Sequence, residues 1–147
     1  MALTAGEESA WLYWQFAEAD QVTSQCLTGK REMANAPKYV AAKHFYRFIR
    51  PNAVRVQAKV DGAPGLLASA YLHPADRTLT AVLVNSGSAP ASAQVRIPPQ
   101  PAGLGRFEVY TSDNNRLWQH AMAQPAGGSL AVTVPGYGVV TLYGKGR

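Results

Sequence analysis

Cysteine is nearly absent from this chain. Cys26 stands alone among 147 residues, which excludes an internal disulfide framework and a zinc site built on several thiolates. Long apolar runs are missing too: nothing approaches the roughly eighteen residues of a membrane-spanning helix. Residues 1–10 (MALTAGEESA) have neither the positive start nor the apolar middle of a secretory signal. Histidine is scarce, and His44, His73 and His120 are spaced too irregularly to make a metal site. The glycine-rich pieces Gly103-Leu104-Gly105 and Gly127-Gly128 precede strand-like segments, so they read as turns and not as phosphate cradles. No metal and no cofactor is expected. Positive charge is plentiful but local, since eight of the fourteen Lys and Arg fall between Lys30 and Lys59. There Lys38, Lys43, Arg47 and Arg50 are interleaved with Phe45, Phe48 and Ile49 at helical spacing. That pattern marks a helix with one buried and one solvated face, rather than a nucleic-acid or membrane surface.

What remains is apolar enough to fold. Hydrophobic residues make up 47% and charged residues 16% of the chain, and a sandwich of about 100 residues fits within its length. Residues 10–17 (AWLYWQFA) form a short, continuous apolar run that suits a strand buried on both faces. Residues 18–36 show no period and contain the turn pair Thr28-Gly29, which predicts a long irregular loop. Asn35 then offers an N-cap and Pro37 fits a first helical turn. Val40, Ala41, Phe45, Phe48 and Ile49 share one face until Pro51 stops the helix. From Ala53 the period changes to 2, with Val54, Val56, Ala58 and Val60 alternating with Arg55, Gln57 and Lys59. Further strands are predicted at 66–73, 79–85, 92–97, 106–111, 117–122, 129–134 and 138–144, separated by Pro, Gly, Asn and Asp turns. The fold class is mainly β: an antiparallel β-sandwich of about eight strands, preceded by one strand and one α-helix.

Order and motifs resemble the C-terminal part of glycoside hydrolase family 30, the retaining glycosidases that include glucosylceramidases, glucuronoxylanases and endo-β-1,6-galactanases. The most specific stretch is KYVAAKHFYRFIRPNAVRV (Lys38–Val56). It looks like the family's last barrel helix running into the first returning strand of its side sandwich. Tyr46 stands where the family has Ser or Thr, and Asn52 where it has Gly; Asn also tolerates a left-handed backbone. SAWLYWQ (Ser9–Gln15) resembles the eighth barrel strand, LTAVLVN (Leu79–Asn85) a central sandwich strand and VPGYGVVTL (Val134–Leu142) the closing strand. The resemblance implies that residues 1–52 are the remnant of a (β/α)8 barrel and residues 53–147 its side domain.

It also implies a catalytic pair of glutamates at the ends of the fourth and seventh barrel strands, held about 5 Å apart as retaining chemistry requires. Both are expected upstream of residue 1, so no catalytic residue is assigned here. Glu7, Glu8, Glu18, Asp20, Glu32, Asp61, Asp76, Glu108 and Asp113 fall in caps, loops or a solvent-facing strand position. The chain alone is therefore expected to be inactive. Trp14 and Gln15 are the candidate substrate-binding residues, because groups at the C-terminal end of a barrel strand face the active site and a tryptophan face stacks on sugar. Core filling is the alternative for Trp14 and for Trp11. Lys30 and Arg31 in the following loop could meet an acidic sugar, although a solvated loop charge is the commoner case. The implied role is to brace the barrel and to extend a cleft for a β-linked polysaccharide, in a secreted or periplasmic parent. The implied partner is the missing barrel, with self-association through Trp11, Tyr13, Phe45, Phe48 and Ile49 if that partner is lacking. The competing reading is an independent carbohydrate-binding module that uses Tyr110, Trp118, Tyr137 and Tyr143.

Overall fold

The computed structural model describes residues 15–18, 20, 23–31, 33–61, 63–97 and 103–146. The chain divides into two compact units, residues 1–42 and 43–147.

Of the expected first strand, residues 10–14 lie outside the described residues, and 15–17 form no strand assignment. The backbone at 15–16 nevertheless bonds to the loop: Gln15 N donates to Gln25 O at 2.7 Å, and Leu27 N and Thr28 N donate to Gln15 O and Phe16 O at 2.9 and 3.0 Å. Loop 18–36 is thus tied at its centre, and Cys26, Leu27 and Thr28 are buried. Thr28 Oγ1 donates to Met33 O at 2.6 Å, ahead of a short 3-10 turn, Met33–Asn35. The helix α1 runs Pro37–Tyr46. Asn35 lies in the 3-10 turn, and Ala36 accepts the first helical bond from Val40 N. The cap is therefore one residue later than expected.

The described residues of the second unit hold eight strands: β1 (Val54–Val56), β2 (Leu66–His73), β3 (Thr78–Asn85), β4 (Ala91–Arg96), β5 (Phe107–Ser112), β6 (Gln119–Ala123), β7 (Ser129–Val134) and β8 (Val139–Lys145). All pair antiparallel, in a six-stranded sheet of order β1-β2-β3-β8-β5-β6 and a two-stranded sheet of β4 and β7. The expected β-sandwich is present. Alternation builds its core: Leu66, Leu79, Leu83, Phe107, Val140 and Leu142 of the large sheet meet Leu130, Val132 and Val134 of β7. Gly144 leaves room for Phe107, whose ring would lie 2.5 Å from a Cβ placed there. Two strands do not cover six. Beside β4 an open cleft of about 600 Å³ remains, lined by Val56, Ala68, Ala70, Ala81, Ala93 and Val95 among others.

The opposite face of the large sheet is buried too at its centre. Tyr71, Thr80, Val82 and Thr141 are 5%, 2%, 1% and 0% exposed, so β3 and β8 are covered on both faces. Residues 43–52 provide part of that cover within this unit. His44 and Phe48 are buried, Thr80 Oγ1 donates to Phe48 O at 3.3 Å, and His73 Nε2 lies 2.9 Å from Pro51 O. Asn52 has φ 71, the left-handed backbone for which Gly or Asn is suited. Two expectations are corrected here. The buried stripe of α1 and the turn after it is Val40, His44 and Phe48, while Ala41 is exposed and Phe45 and Ile49 are half-buried. Phe48, assigned to a bare seam, is packed against Tyr110 and Tyr143 of the sheet.

Candidate functional site

The described carboxylates are each engaged by a neighbour, and none of these contacts joins two carboxylates. Glu18 Oε2 accepts from Gln15 Nε2 at 2.6 Å, and Asp20 pairs with Arg31 at 3.0 Å on the surface. Asp61 pairs with Lys59 at 2.8 Å, and Asp76 lies 3.5 Å from His73. Asp113 accepts from the backbone N–H groups of Asn115 and Arg116 at 2.8 and 2.7 Å, which holds its carboxyl below the usual carboxylate range. Glu108 accepts from the Tyr110 hydroxyl and lies 3.4 Å from His120 Nε2. Glu7, Glu8 and Glu32 lie outside the described residues.

Trp14 also lies outside them, as does Trp11. Gln15 is half-buried, and its side-chain amide is committed to Glu18. Arg31 answers Asp20, and Lys30 is exposed. The cation most connected to the loop is Lys38 of α1, read from the sequence as a base on the helix's solvated face. Lys38 Nζ donates to Thr23 O, Ser24 O and Cys26 O at 2.6, 3.0 and 3.3 Å, so one ammonium gathers three backbone carbonyls of the loop.

The densest polar and aromatic constellation sits on the outer face of the large sheet. His44 Nδ1 lies 2.8 Å from Thr141 Oγ1, and His44 Nε2 lies 2.8 Å from Ser112 Oγ. Ser112 Oγ accepts from Trp118 N at 2.8 Å, and Thr141 Oγ1 donates to His44 O at 3.1 Å. One arrangement makes every contact a hydrogen bond: Nδ1–H donates to Thr141, and Ser112 donates to an unprotonated Nε2. Burial, with Lys43 adding repulsion, lowers the imidazole pKa to about 4. Trp118 has φ 57, which interrupts the alternation expected over 117–122 and delays β6 to Gln119. Its ring touches His44, Phe48 and Tyr110 at centroid distances of 5.0, 6.0 and 4.8 Å, and Lys43 Nζ sits 3.8 Å over it. Desolvation of Lys43, then the neighbouring Arg47, lowers its ammonium pKa. His120 stacks on Tyr110 at 4.7 Å. Burial, followed by the hydrogen bond to Glu108, raises the Tyr110 phenol.

Four residues were candidates for a glycan platform, and the structure separates them. Tyr110 is buried, and Trp118 and Tyr143 are half-buried within the ring cluster. A sugar reaching Trp118 would have to displace Lys43. Tyr137 alone of the four is 60% exposed. The cluster is assembled from 43–48, 108–120 and 141–143. Its legible signal was the i, i+4, i+8 spacing of Val40, His44 and Phe48, obscured because a histidine in an apolar stripe reads as a break.

No protein-family profile matches the chain. Solved structures do. A GH30 endoxylanase from Clostridium papyrosolvens superposes with a TM-score of 0.80 at 22% identity, over 98% of this chain and 35% of that one. The glycoside hydrolase family 30 subfamily 8 xylanase from Clostridium acetobutylicum gives 0.80 at 18% identity, over 98% and 36%. The catalytic domain of GH30 xylanase C from Talaromyces cellulolyticus gives 0.74 at 21% identity, over 97% and 32%. At these identities the likeness is one of fold. The chain spans about a third of the length of the structures it matches.

Proposed function

We propose that this chain is the non-catalytic C-terminal part of a retaining β-glycoside hydrolase resembling family 30, in which the sandwich braces a barrel that carries the catalytic glutamates. The observation that carries the reading is the match of 98% of this chain to about a third of an endoxylanase. Supporting it, the described carboxylates are engaged singly, whereas retaining hydrolysis needs two of them about 5 Å apart with a glycosidic bond between. The binding-module reading is weakened at Trp118, whose ring already carries Lys43. Because a polysaccharide substrate is too large to enter a cell, the same reading takes the parent enzyme as secreted or periplasmic.

Exchange tests this role. Deleting the matching third of the Clostridium papyrosolvens endoxylanase is expected to abolish its xylan hydrolysis, and grafting this chain in its place to restore a folded, active enzyme. The 147-residue chain by itself is expected to release no reducing sugar from xylan, β-glucan or β-1,6-galactan. A deletion without effect would remove the bracing role. Turnover by the chain that survives repurification and vanishes with one of its carboxylates would remove the non-catalytic one.

A further inference from the structure

The aromatic residues of this sandwich with φ in the left-handed region include Trp118 at φ 57 and Tyr137 at φ 48. Such backbone is cheap for Gly, Asn and Asp and unfavourable for a bulky side chain. At Trp118 packing explains it, because the ring is enclosed by His44, Phe48, Tyr110 and Lys43. At Tyr137 the turn closed by Gly138 N and Pro135 O sets the backbone, but no packing accounts for a bulky ring there, since the side chain is 60% exposed and no ring contact holds it among the described residues.

The backbone beneath Tyr137 is nonetheless closely built. Tyr137 N donates to Gly87 O at 2.8 Å, Gly138 N to Pro135 O at 3.1 Å and Asn85 N to Gly138 O at 2.9 Å. The Asn85 side chain organises the neighbouring loop, donating to Ala89 O at 2.8 Å and accepting from Gly87 N at 2.9 Å. The glycines on either side leave no slack: a Cβ on Gly136 would fall 1.9 Å from Ser88 O, and one on Gly138 would fall 2.5 Å from Pro135. The result is an aromatic ring presented to solvent from a fixed turn, where a small polar residue would satisfy the fold better.

We propose that Tyr137 is a stacking residue for a neutral β-linked polysaccharide, binding apart from catalysis. The inference rests on the glycoside hydrolase reading for its ligand class. Phenol rings pair their apolar face with the C–H face of a pyranose and keep a hydroxyl free for the rim of the sugar. A ring with two side-chain torsions on a rigid turn loses little entropy on binding. Exposed polar residues flank the residue it bonds to, Ser86 and Ser88 on either side of Gly87.

Electrophoresis of the 147-residue chain through native gels containing arabinoxylan or xyloglucan tests the proposal. Both polymers are neutral, so a chain with a pI near 9.6 is not held by charge. Retardation is expected for the wild type and for Tyr137→Phe. Tyr137→Asn, which suits the left-handed turn, is expected to melt no earlier than wild type and to lose at least tenfold in retardation. Free passage of the wild type through both gels, or equal retardation of Tyr137→Asn, would overturn the proposal. Either result leaves the bracing role untouched, because that role is read from the graft. A failed graft with retardation intact would instead leave a free-standing binding module.

Discussion

His44 shows how much one side chain can determine. Its neutral form satisfies Thr141, Ser112, the Trp118 amide and its own carbonyl at once, and a protonated ring would turn Nε2 from acceptor to donor and take from the Ser112 hydroxyl proton the acceptor it has. With a folded pKa of about 4 against 6.5 for an unfolded histidine, the unfolded state binds more protons between those values. Stability from this group is therefore fully present above pH 6.5 and lost as pH falls towards 4, a change of about 3 kcal/mol. Urea unfolding at pH 7, 5.5 and 4 should show that slope, and His44→Leu should flatten it. An unchanged slope in the variant would mean the loss originates elsewhere. Trp118→Ala, by opening the ring cluster, should cost about 3 kcal/mol in the same assay while leaving polysaccharide retention intact. Spacing set His44 apart from any metal site, but gave no sign of its place at the centre of the network. Its partners come from strands 68 and 97 residues away, and spacing along a chain carries no information about them.

Elements were more legible than their ends. Period-2 runs located all eight strands, because alternation is a property of the strand itself. Boundaries failed where backbone conformation overrode pattern. Val54 to Val60 alternates throughout, yet β1 stops at Val56, and β6 waits for Gln119 because Trp118 turns left-handed. Trp14, the leading site residue, lies outside the described residues, and Gln15 is held by Glu18. Glycines within or beside one strand give a test of packing at this scale. Gly144→Ala in β8 would drive a methyl into the Phe107 ring, and overpacking of this kind costs about 1–3 kcal/mol. Gly105→Ala, just before β5, meets nothing within 4 Å and should change stability by no more than about 0.5 kcal/mol. Equal melting temperatures for the two variants would show that the Gly144 and Phe107 contact carries no strain. Adding Phe107→Leu to Gly144→Ala should recover part of the loss.

In the whole molecule the two sheets are unequal, and alternation alone did not foretell six strands against two. Ala68, Ala81 and Ala93 leave the cleft beside β4 open, so Ala93→Leu should raise the stability by about 0.5–2 kcal/mol by filling it. A lower melting temperature would mean that the cleft closes in solution. Strand order was illegible for a related reason, as neighbours in the sheet are not neighbours in the chain. Between β3 and β5 lies β8, the last of the eight to be synthesised. Until Val139–Lys145 emerges from the ribosome, the sheet is two separate ribbons, and both strands destined to flank β8 carry unpaired peptide groups. A nascent chain arrested after β7 must therefore wait, exposed to proteases and to chaperones, for the seven residues that join its two ribbons.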